Sequence, residues 1–85
     1  MFCVYVLRNL KGRLYVGSTG DLARRLAEHA EGRARWTAKR GPWQLVHSEE
    51  FATRIAAMRR ERELKCGRAN QELRRQVSLR RLSQR

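Results

Sequence analysis

The chain lacks the features that mark several common classes of protein. No apolar run reaches the roughly 18 residues that a membrane-spanning helix needs. The apolar segment 1–7 is followed by Arg8 instead of being preceded by basic residues, which is unlike a signal peptide. The two cysteines, Cys3 and Cys66, are far apart in sequence and match neither a disulfide framework nor a zinc site. We therefore expect reduced thiols, a cytoplasmic location and no membrane binding.

Phosphate-binding and metal-binding signatures are also missing. The sequence contains no G-x-G-x-x-G and no G-x-x-x-x-G-K-[ST] loop, no C-x-x-C pair and no cluster of histidines. These absences argue against a nucleotide hydrolase, a zinc finger and a small-molecule cofactor. With 85 residues and no internal repeat, the chain has room for one domain over 1–85.

Acidic residues are scarce, and this imbalance is the strongest compositional signal. Eight Asp and Glu face 20 Lys and Arg, for a formal charge of +12, and all but Lys11, Lys39 and Lys65 of the basic residues are arginine. Arginine binds phosphate in a bidentate manner and stacks on bases, which lysine does poorly. Nucleic acid is therefore the favoured partner, and an acidic membrane surface or an acidic protein is the alternative.

Hydrophobic patterning predicts an alternation of strands and helices. Residues 2–7, 13–17 and 43–51 are typical of strands, whereas 21–31, 53–65 and 70–82 are typical of helices. Asn9 and Gly12 punctuate the link between the first two strands, as in a hairpin. If that turn centres on residue 10, Tyr5 lies opposite Tyr15 on the same face. A slip of one residue would separate them.

The first predicted helix distinguishes between two neighbouring arginines. At about 100° per residue, Leu22, Leu26 and Ala30 define an apolar side, with His29 beside them and Arg25 at the edge. Arg24, Glu28 and Glu31 are expected to point away. Arg25 is thus the arginine held against the core, where a preorganised guanidinium suits a reacting phosphate. The alternative is an arginine that merely covers apolar surface.

The second predicted helix places one glutamate in an apolar stripe. Ile55, Ala57, Met58 and Leu64 mark this stripe, and Glu61 projects from its middle, whereas Glu63 falls on the opposite side. A carboxylate that faces a core needs a partner. That partner is either an arginine or a divalent ion, because one carboxylate with several waters is a usual way to hold Mg²⁺ on a phosphate substrate.

The histidines and tryptophans leave alternatives open. His29 is either a general base or a boundary residue of the core. His47 is expected to be solvent-facing or structural. Trp43 is favoured as a core residue, whereas Trp36 could equally stack on a base.

These residues, taken in order, resemble the GIY-YIG nuclease family over residues 2–66. The resemblance rests on Cys3-Val4-Tyr5, on Tyr15-Val16-Gly17-Ser18-Thr19, on Asp-Leu-x-x-Arg-Leu-x-x-His over 21–29, and on Arg60-Glu61-x-x-Leu64-Lys65. The stretch Thr37-x-x-Arg40-x-Pro42 with Leu45-Val46 looks like a short single-domain bacterial branch, similar to the N-terminal domain of an excision-repair incision subunit. A role in DNA repair is therefore expected.

The resemblance implies an α+β fold, with a small three-stranded antiparallel sheet flanked by helices. The core is expected over about 2–66, followed by a basic helix over about 70–82. Tyr5, Tyr15 and Arg25 would be catalytic, His29 would match a frequent active-site histidine, and Glu61 would bind the metal. Two departures are Cys3, where the family motif has glycine, and Asn70, whose context does not match the family's late asparagine well.

The reaction implied is phosphodiester hydrolysis with one divalent ion, Mg²⁺ or Mn²⁺. Glu61 would hold the ion, Arg25 would bind a non-bridging oxygen, and a tyrosine assisted by His29 would take a proton from water. The substrate expected is DNA, single-stranded or branched, with RNA as a further possibility. Backbone contacts are expected from Arg13, Lys39, Arg40 and Lys65. The alternatives are a non-catalytic nucleic-acid-binding module with the same fold and a small protein that docks on a larger complex.

Overall fold

The structure is a computed structural model that describes residues 1–31 and 41–83, with side chains described through residue 77. It contains an antiparallel sheet of three strands in the order β2-β1-β3, together with three helices. The expected α+β fold is confirmed. In chain order the elements are β1 Phe2–Asn9, β2 Leu14–Thr19, α1 Leu22–Ala30, β3 Trp43–Phe51, α2 Arg54–Lys65 and α3 Gly67–Ser83.

A tight turn joins β1 to β2. The side chain of Asn9 accepts hydrogen bonds from the backbone N–H groups of Lys11 (3.1 Å) and Arg13 (2.9 Å). Gly12 has a φ of +83°, a conformation that favours glycine. These contacts extend β1 to Asn9, two residues beyond the predicted strand end.

The register of the hairpin differs from the one expected. Tyr5 pairs with Gly17, and Tyr15 pairs with Leu7. The turn thus centres on residue 11, so the prediction that Tyr5 lies opposite Tyr15 is wrong. The displacement amounts to two residues along β2, and side chains alternate along a strand with a period of two. The two tyrosines therefore still share a face, in diagonal positions.

The sheet has two faces with different partners. One of them, the core face, carries Val4, Val6 and Val16, which pack against α2 and α3. The helices contribute Ala57 and Leu64 from α2 and Leu73 and Val77 from α3. The hydrophobic core therefore includes residues of α3 as well as α2. The opposite face, the tyrosine face, carries Tyr5 and Tyr15, and α1 lies over it.

Helices α1 and α2 begin directly after residues that cap them. Asp21 accepts a hydrogen bond from Arg24 N at the start of α1, and Thr53 accepts one from Ala56 N at the start of α2. Helix α3 begins at Gly67, three residues earlier than predicted, because Gly67 turns the chain with a φ of +68°. No helix in the described ranges is both long and apolar enough to cross a membrane.

The apolar stripe predicted on α2 is partly wrong. Ala57 and Leu64 are buried, but Ile55 is 65% exposed and Met58 is 54% exposed. On a helical wheel Ile55 lies about 170° from the direction in which Ala57 and Leu64 face the sheet. On α1 a similar error occurs, since Ala30 is exposed and His29 is the buried residue.

This difference within α2 predicts unequal effects of truncation on stability. Leu64→Ala should lower the free energy of unfolding by about 2–4 kcal/mol, because it leaves a cavity in the core. Ile55→Ala, the matched control on the same helix, should change it by less than about 0.5 kcal/mol. Urea denaturation followed by circular dichroism measures both. Equal losses in the two variants would show that α2 packs in a different orientation.

Candidate active site

A hydrogen-bonded cluster lies between the tyrosine face and α1. The hydroxyl of Tyr5 is 2.9 Å from His29 Nε2, and Arg25 Nε donates to the same hydroxyl at 3.3 Å. The ring of Tyr15 packs against the rings of Tyr5 and His29, with its centroid 6.2 Å from that of Tyr5 and 5.1 Å from that of His29. Tyr5 is 1% exposed and His29 is 4% exposed. Four of the five predicted catalytic residues therefore meet in one place.

The protonation states in this cluster follow from burial and from Arg25. Burial lowers the pKa of His29, and the nearby charge of Arg25 lowers it further, so the imidazole is neutral at neutral pH. Burial raises the pKa of Tyr5 to about 12, despite the opposing hydrogen bond from Arg25. The Tyr5 oxygen accepts from Arg25 and lies 2.9 Å from His29 Nε2, so the Tyr5 hydroxyl can donate to the neutral imidazole in the tautomer that leaves Nε2 unprotonated.

Arg25 is fixed in place by two partners. Its Nε bonds to Tyr5, and its Nη1 donates to Glu28 at 3.1 Å. Hydrogen bonds to Tyr5 and then Glu28 raise the pKa of the guanidinium, which stays charged. Glu28 was expected to point away from this side; that prediction is wrong, because at i+3 its side chain can reach back to Arg25. Arg24, by contrast, has a side chain that is 76% exposed.

Gly17 makes room for the two tyrosines. A Cβ at this position would lie 2.7 Å from the Tyr5 hydroxyl and 3.1 Å from Tyr15 Cε1. Both distances are shorter than ordinary van der Waals contact, so any other residue would displace the phenols. Gly17 belongs to the recognised motif, but its role depends on the pairing of Tyr5 with Gly17, which the sequence alone did not provide.

Glu61 is held beside β2 on the side of the core face. It lies on α2, which packs on the core face, and its side chain is 23% exposed. Ser18 Oγ donates to Oε1 at 2.6 Å, and Lys65 Nζ donates to Oε2 at 2.7 Å. Its ion-pair partner is thus a lysine in the same helix, not the arginine considered from the sequence.

The ionisation of Glu61 is set by opposing effects. Burial raises its pKa, but hydrogen bonds from Lys65 and Ser18 and the charge of Lys65 outweigh burial, so the pKa is lowered overall. The carboxylate is therefore ionised at neutral pH and able to hold a cation.

Because β2 is an edge strand, residues on both of its faces border the same rim. Two grooves run along this rim. The β2-edge groove has a volume of about 450 Å³ and is lined by Leu14, Tyr15, Val16, Lys65, Asn70 and Arg74. The Glu61 groove has a volume of about 370 Å³ and is lined by Phe2, Ser18, Thr19, Gly20, Arg54, Ala57, Met58 and Glu61. The pair formed by Glu61 and Lys65 connects the two grooves.

The donor set fits a single loosely coordinated divalent ion. Among the described residues no group of three His, Cys, Asp or Glu side chains could enclose a metal. Glu61 presents one ionised carboxylate in the Glu61 groove. This carboxylate already pairs with one cation, the ammonium of Lys65. One carboxylate completed by waters and by substrate phosphate suits Mg²⁺, which retains several waters in proteins.

The remaining predicted residues have varied positions. Arg13 is exposed at the end of the hairpin, and Lys65 is engaged by Glu61. Lys39, Arg40 and Trp36 lie outside the described residues. Trp43, expected in the core, is only half-buried, with its ring against Tyr15 at 6.4 Å. His47 is structural: its Nε2 is 2.7 Å from Glu49, which also pairs with Arg60.

Sequence reasoning missed three side chains or positions of the site. Ser18 was named only as part of the motif over 15–19, whereas its hydroxyl bonds to Glu61, 43 positions further along the chain. The role of Glu28 was missed because it depends on the rotamer of that side chain. The role of Gly17 was missed because it depends on the register of the hairpin. A serine next to the motif glycine was the one available signal for Ser18.

Comparison with known proteins identifies the family of the chain. The family model of the GIY-YIG catalytic domain matches residues 1–73. The chain therefore belongs to the GIY-YIG family, and the resemblance inferred from its motifs is confirmed over a longer stretch than 2–66.

Its relatives include several UPF0213 proteins. The chain is 48% identical over 63 residues to one from Natronomonas pharaonis, an alignment covering 73% of this chain and 74% of that protein. The solution NMR structure of a UPF0213 protein from Bacillus halodurans is similar with a TM-score of 0.54 and 40% identity, covering 93% of this chain and 85% of that one. The chain is also 46% identical over 68 residues to the structure-specific endonuclease subunit slx1 of Aspergillus niger, of which it spans 16%.

The pKa of Tyr5 predicts a pH dependence of stability. Its folded pKa of about 12 exceeds the ordinary value of 10, so between these values the unfolded chain loses a proton that the folded chain keeps. The free energy of unfolding should therefore fall as pH rises from about 10 to 12. Denaturation midpoints across this range measure the effect, and Tyr5→Phe should remove most of it. An unchanged slope in Tyr5→Phe would show that the hydroxyl is not buried.

Proposed function

We propose that this chain is a metal-dependent endonuclease that hydrolyses phosphodiester bonds in DNA. The observation that carries the proposal is the hydrogen-bonded cluster of Tyr5, Arg25 and His29, with Tyr15 packed against it. Tyr15 also lines a groove together with Lys65, the ion-pair partner of the ionised Glu61. Membership of a family described as catalytic and similarity to a structure-specific endonuclease subunit support nuclease activity.

Arg25 binds a non-bridging oxygen of the scissile phosphate. Its guanidinium is held by Tyr5 and Glu28 before substrate arrives, so little reorganisation is needed when negative charge develops in the transition state. Glu61 would hold Mg²⁺ or Mn²⁺, and the bound ion would neutralise charge on the phosphate and on the leaving 3′ oxygen.

The two tyrosines have different roles in this mechanism. Tyr15 lines the β2-edge groove and is accessible to water and substrate, whereas Tyr5 is buried and has a raised pKa. Tyr15 is therefore the phenol that accepts a proton from the attacking water. Its own proton passes to the oxygen of the neighbouring Tyr5, and the proton of Tyr5 moves to Nε2 of the neutral His29.

The preferred substrate is single-stranded or branched DNA, with RNA as a further possibility. Because the chain carries a net charge of +12, contacts to the phosphate backbone dominate DNA binding. The affinity therefore falls steeply as the salt concentration increases. Arg13 and Lys65 are proposed phosphate contacts, together with Lys39 and Arg40. Sequence specificity is expected to be low, because phosphate contacts carry no information about bases.

A matched pair of substitutions on α2 tests the catalytic role of Glu61. Glu61→Gln should lower the rate of cleavage by about 100-fold or more, because it removes the charge that holds the ion, while DNA binding survives. Glu63→Gln removes the same charge two residues away, where the side chain is 61% exposed and pairs with Arg60. It should change the rate by less than about twofold.

The assay uses labelled single-stranded, duplex, flap and junction DNA together with RNA, each incubated with Mg²⁺, Mn²⁺ or chelator. Cleavage that requires the metal and disappears in Glu61→Gln supports the proposal. If the wild-type protein binds these substrates but leaves all of them intact, the chain is a non-catalytic binding module. Equal rates in Glu61→Gln and wild type would exclude Glu61 as the metal ligand.

A further inference from the structure

One arginine of the basic helix α3 lines the β2-edge groove. Arg74 lies on α3, and its Nε donates to Asn70 Oδ1 at 3.0 Å. Asn70 is itself fixed, because its Nδ2 donates to the backbone oxygen of Leu64 at 2.7 Å. The Arg74 guanidinium is thus oriented by a chain of hydrogen bonds that begins at the end of α2.

The remaining donors of Arg74 have no acceptor among residues 1–31 and 41–77. Among the described residues, its two terminal nitrogens form no hydrogen bond or ion pair. No acidic side chain lines the groove, whose polar members are Tyr15, Lys65, Asn70 and Arg74. An oriented guanidinium whose terminal nitrogens are unused is suited to a bidentate contact with an anionic oxygen pair.

The backbone of β2 adds donors to the same groove. Asn9 N donates to Arg13 O, and residues of an antiparallel pair alternate between bonded and non-bonded positions. Leu14 and Val16 occupy the non-bonded positions opposite Arg8 and Val6, so their N–H groups point away from β1 toward the open edge. The groove therefore presents donors from two elements and a phenol ring to one ligand.

We propose that the β2-edge groove binds a phosphate of the DNA strand next to the scissile phosphate, with Arg74 as its principal contact. This inference rests on the function proposed above, since Tyr15 belongs both to the catalytic cluster and to the groove. A strand that presents one phosphate to Arg25 and Glu61 continues along the edge of β2. Its neighbouring phosphate then lies within reach of Arg74.

Arg75 provides a matched control. Like Arg74 it is exposed, but it does not line the groove and lies about 200° around α3 from the buried Leu73. Arg74→Gln and Arg75→Gln remove the same charge at adjacent positions. Any difference between them therefore reports location and not net charge.

Fluorescence anisotropy with a labelled oligothymidylate, in chelator and from 50 to 200 mM salt, measures the contact without cleavage. Arg74→Gln should weaken binding by about tenfold and reduce the slope of log affinity against log salt by about 0.7. Arg75→Gln should weaken it by less than about twofold. Thermal denaturation of both variants verifies the fold. Equal losses in two folded variants would overturn the proposal.

A modified substrate tests the position of the phosphate. In a cleavable oligonucleotide, the phosphate on each side of the cut is replaced in turn by a neutral methylphosphonate. At one of these positions the replacement should weaken binding by the wild type and cause no further loss in Arg74→Gln. Additive losses at both positions would overturn the assignment. Absence of cleavage by the wild type would instead overturn the proposed function, while the anisotropy result separately decides whether Arg74 binds a phosphate.

Discussion

The candidate site depends on the close approach of Tyr5 to Gly17 across the β1–β2 hairpin. Because Gly17 has no side chain, the Tyr5 hydroxyl can lie over the strand, where a Cβ would be only 2.7 Å away. In that position it meets His29, Arg25 and Tyr15. The burial that raises the pKa of Tyr5 also keeps His29 neutral, so the cluster contains one permanent cation and a chain of neutral groups through which a proton can move.

The edge position of β2 is the second constraint. In a central strand, side chains on opposite faces are separated by neighbouring strands, but at an edge they can border one groove. The Glu61 side chain lies on the side of the core face, where the Ser18 hydroxyl donates to it. The Tyr15 ring lies on the tyrosine face. The Lys65 ammonium pairs with the Glu61 carboxylate and also lines the β2-edge groove. A small domain can in this way assemble a polar site without interrupting its apolar core, which lies on one face of the sheet.

Local periodicity predicted part of this arrangement and failed where long-range contacts decide. Helical spacing selected Arg25 over Arg24 and Glu61 over Glu63, because burial of one helix face is a local property. It failed for Ile55 because packing against the sheet sets the orientation of α2. The residues that meet the sheet are Ala57 and Leu64. The predicted hairpin register was wrong because the turn, in which the Asn9 side chain accepts hydrogen bonds, centres one residue later than expected. Ser18 could not be linked to Glu61 because the two lie 43 positions apart in the sequence.

The central claim is that Glu61 and the tyrosine cluster act on one phosphate across the edge of β2. The most direct measurement is anomalous diffraction from crystals of the Tyr15→Phe variant with Mn²⁺ and a short single-stranded oligonucleotide. The account predicts a manganese ion bound to Glu61 and a phosphate between that ion and Arg25, with the strand following the edge of β2. A manganese ion bound elsewhere, or a strand that crosses the protein away from β2, would contradict it.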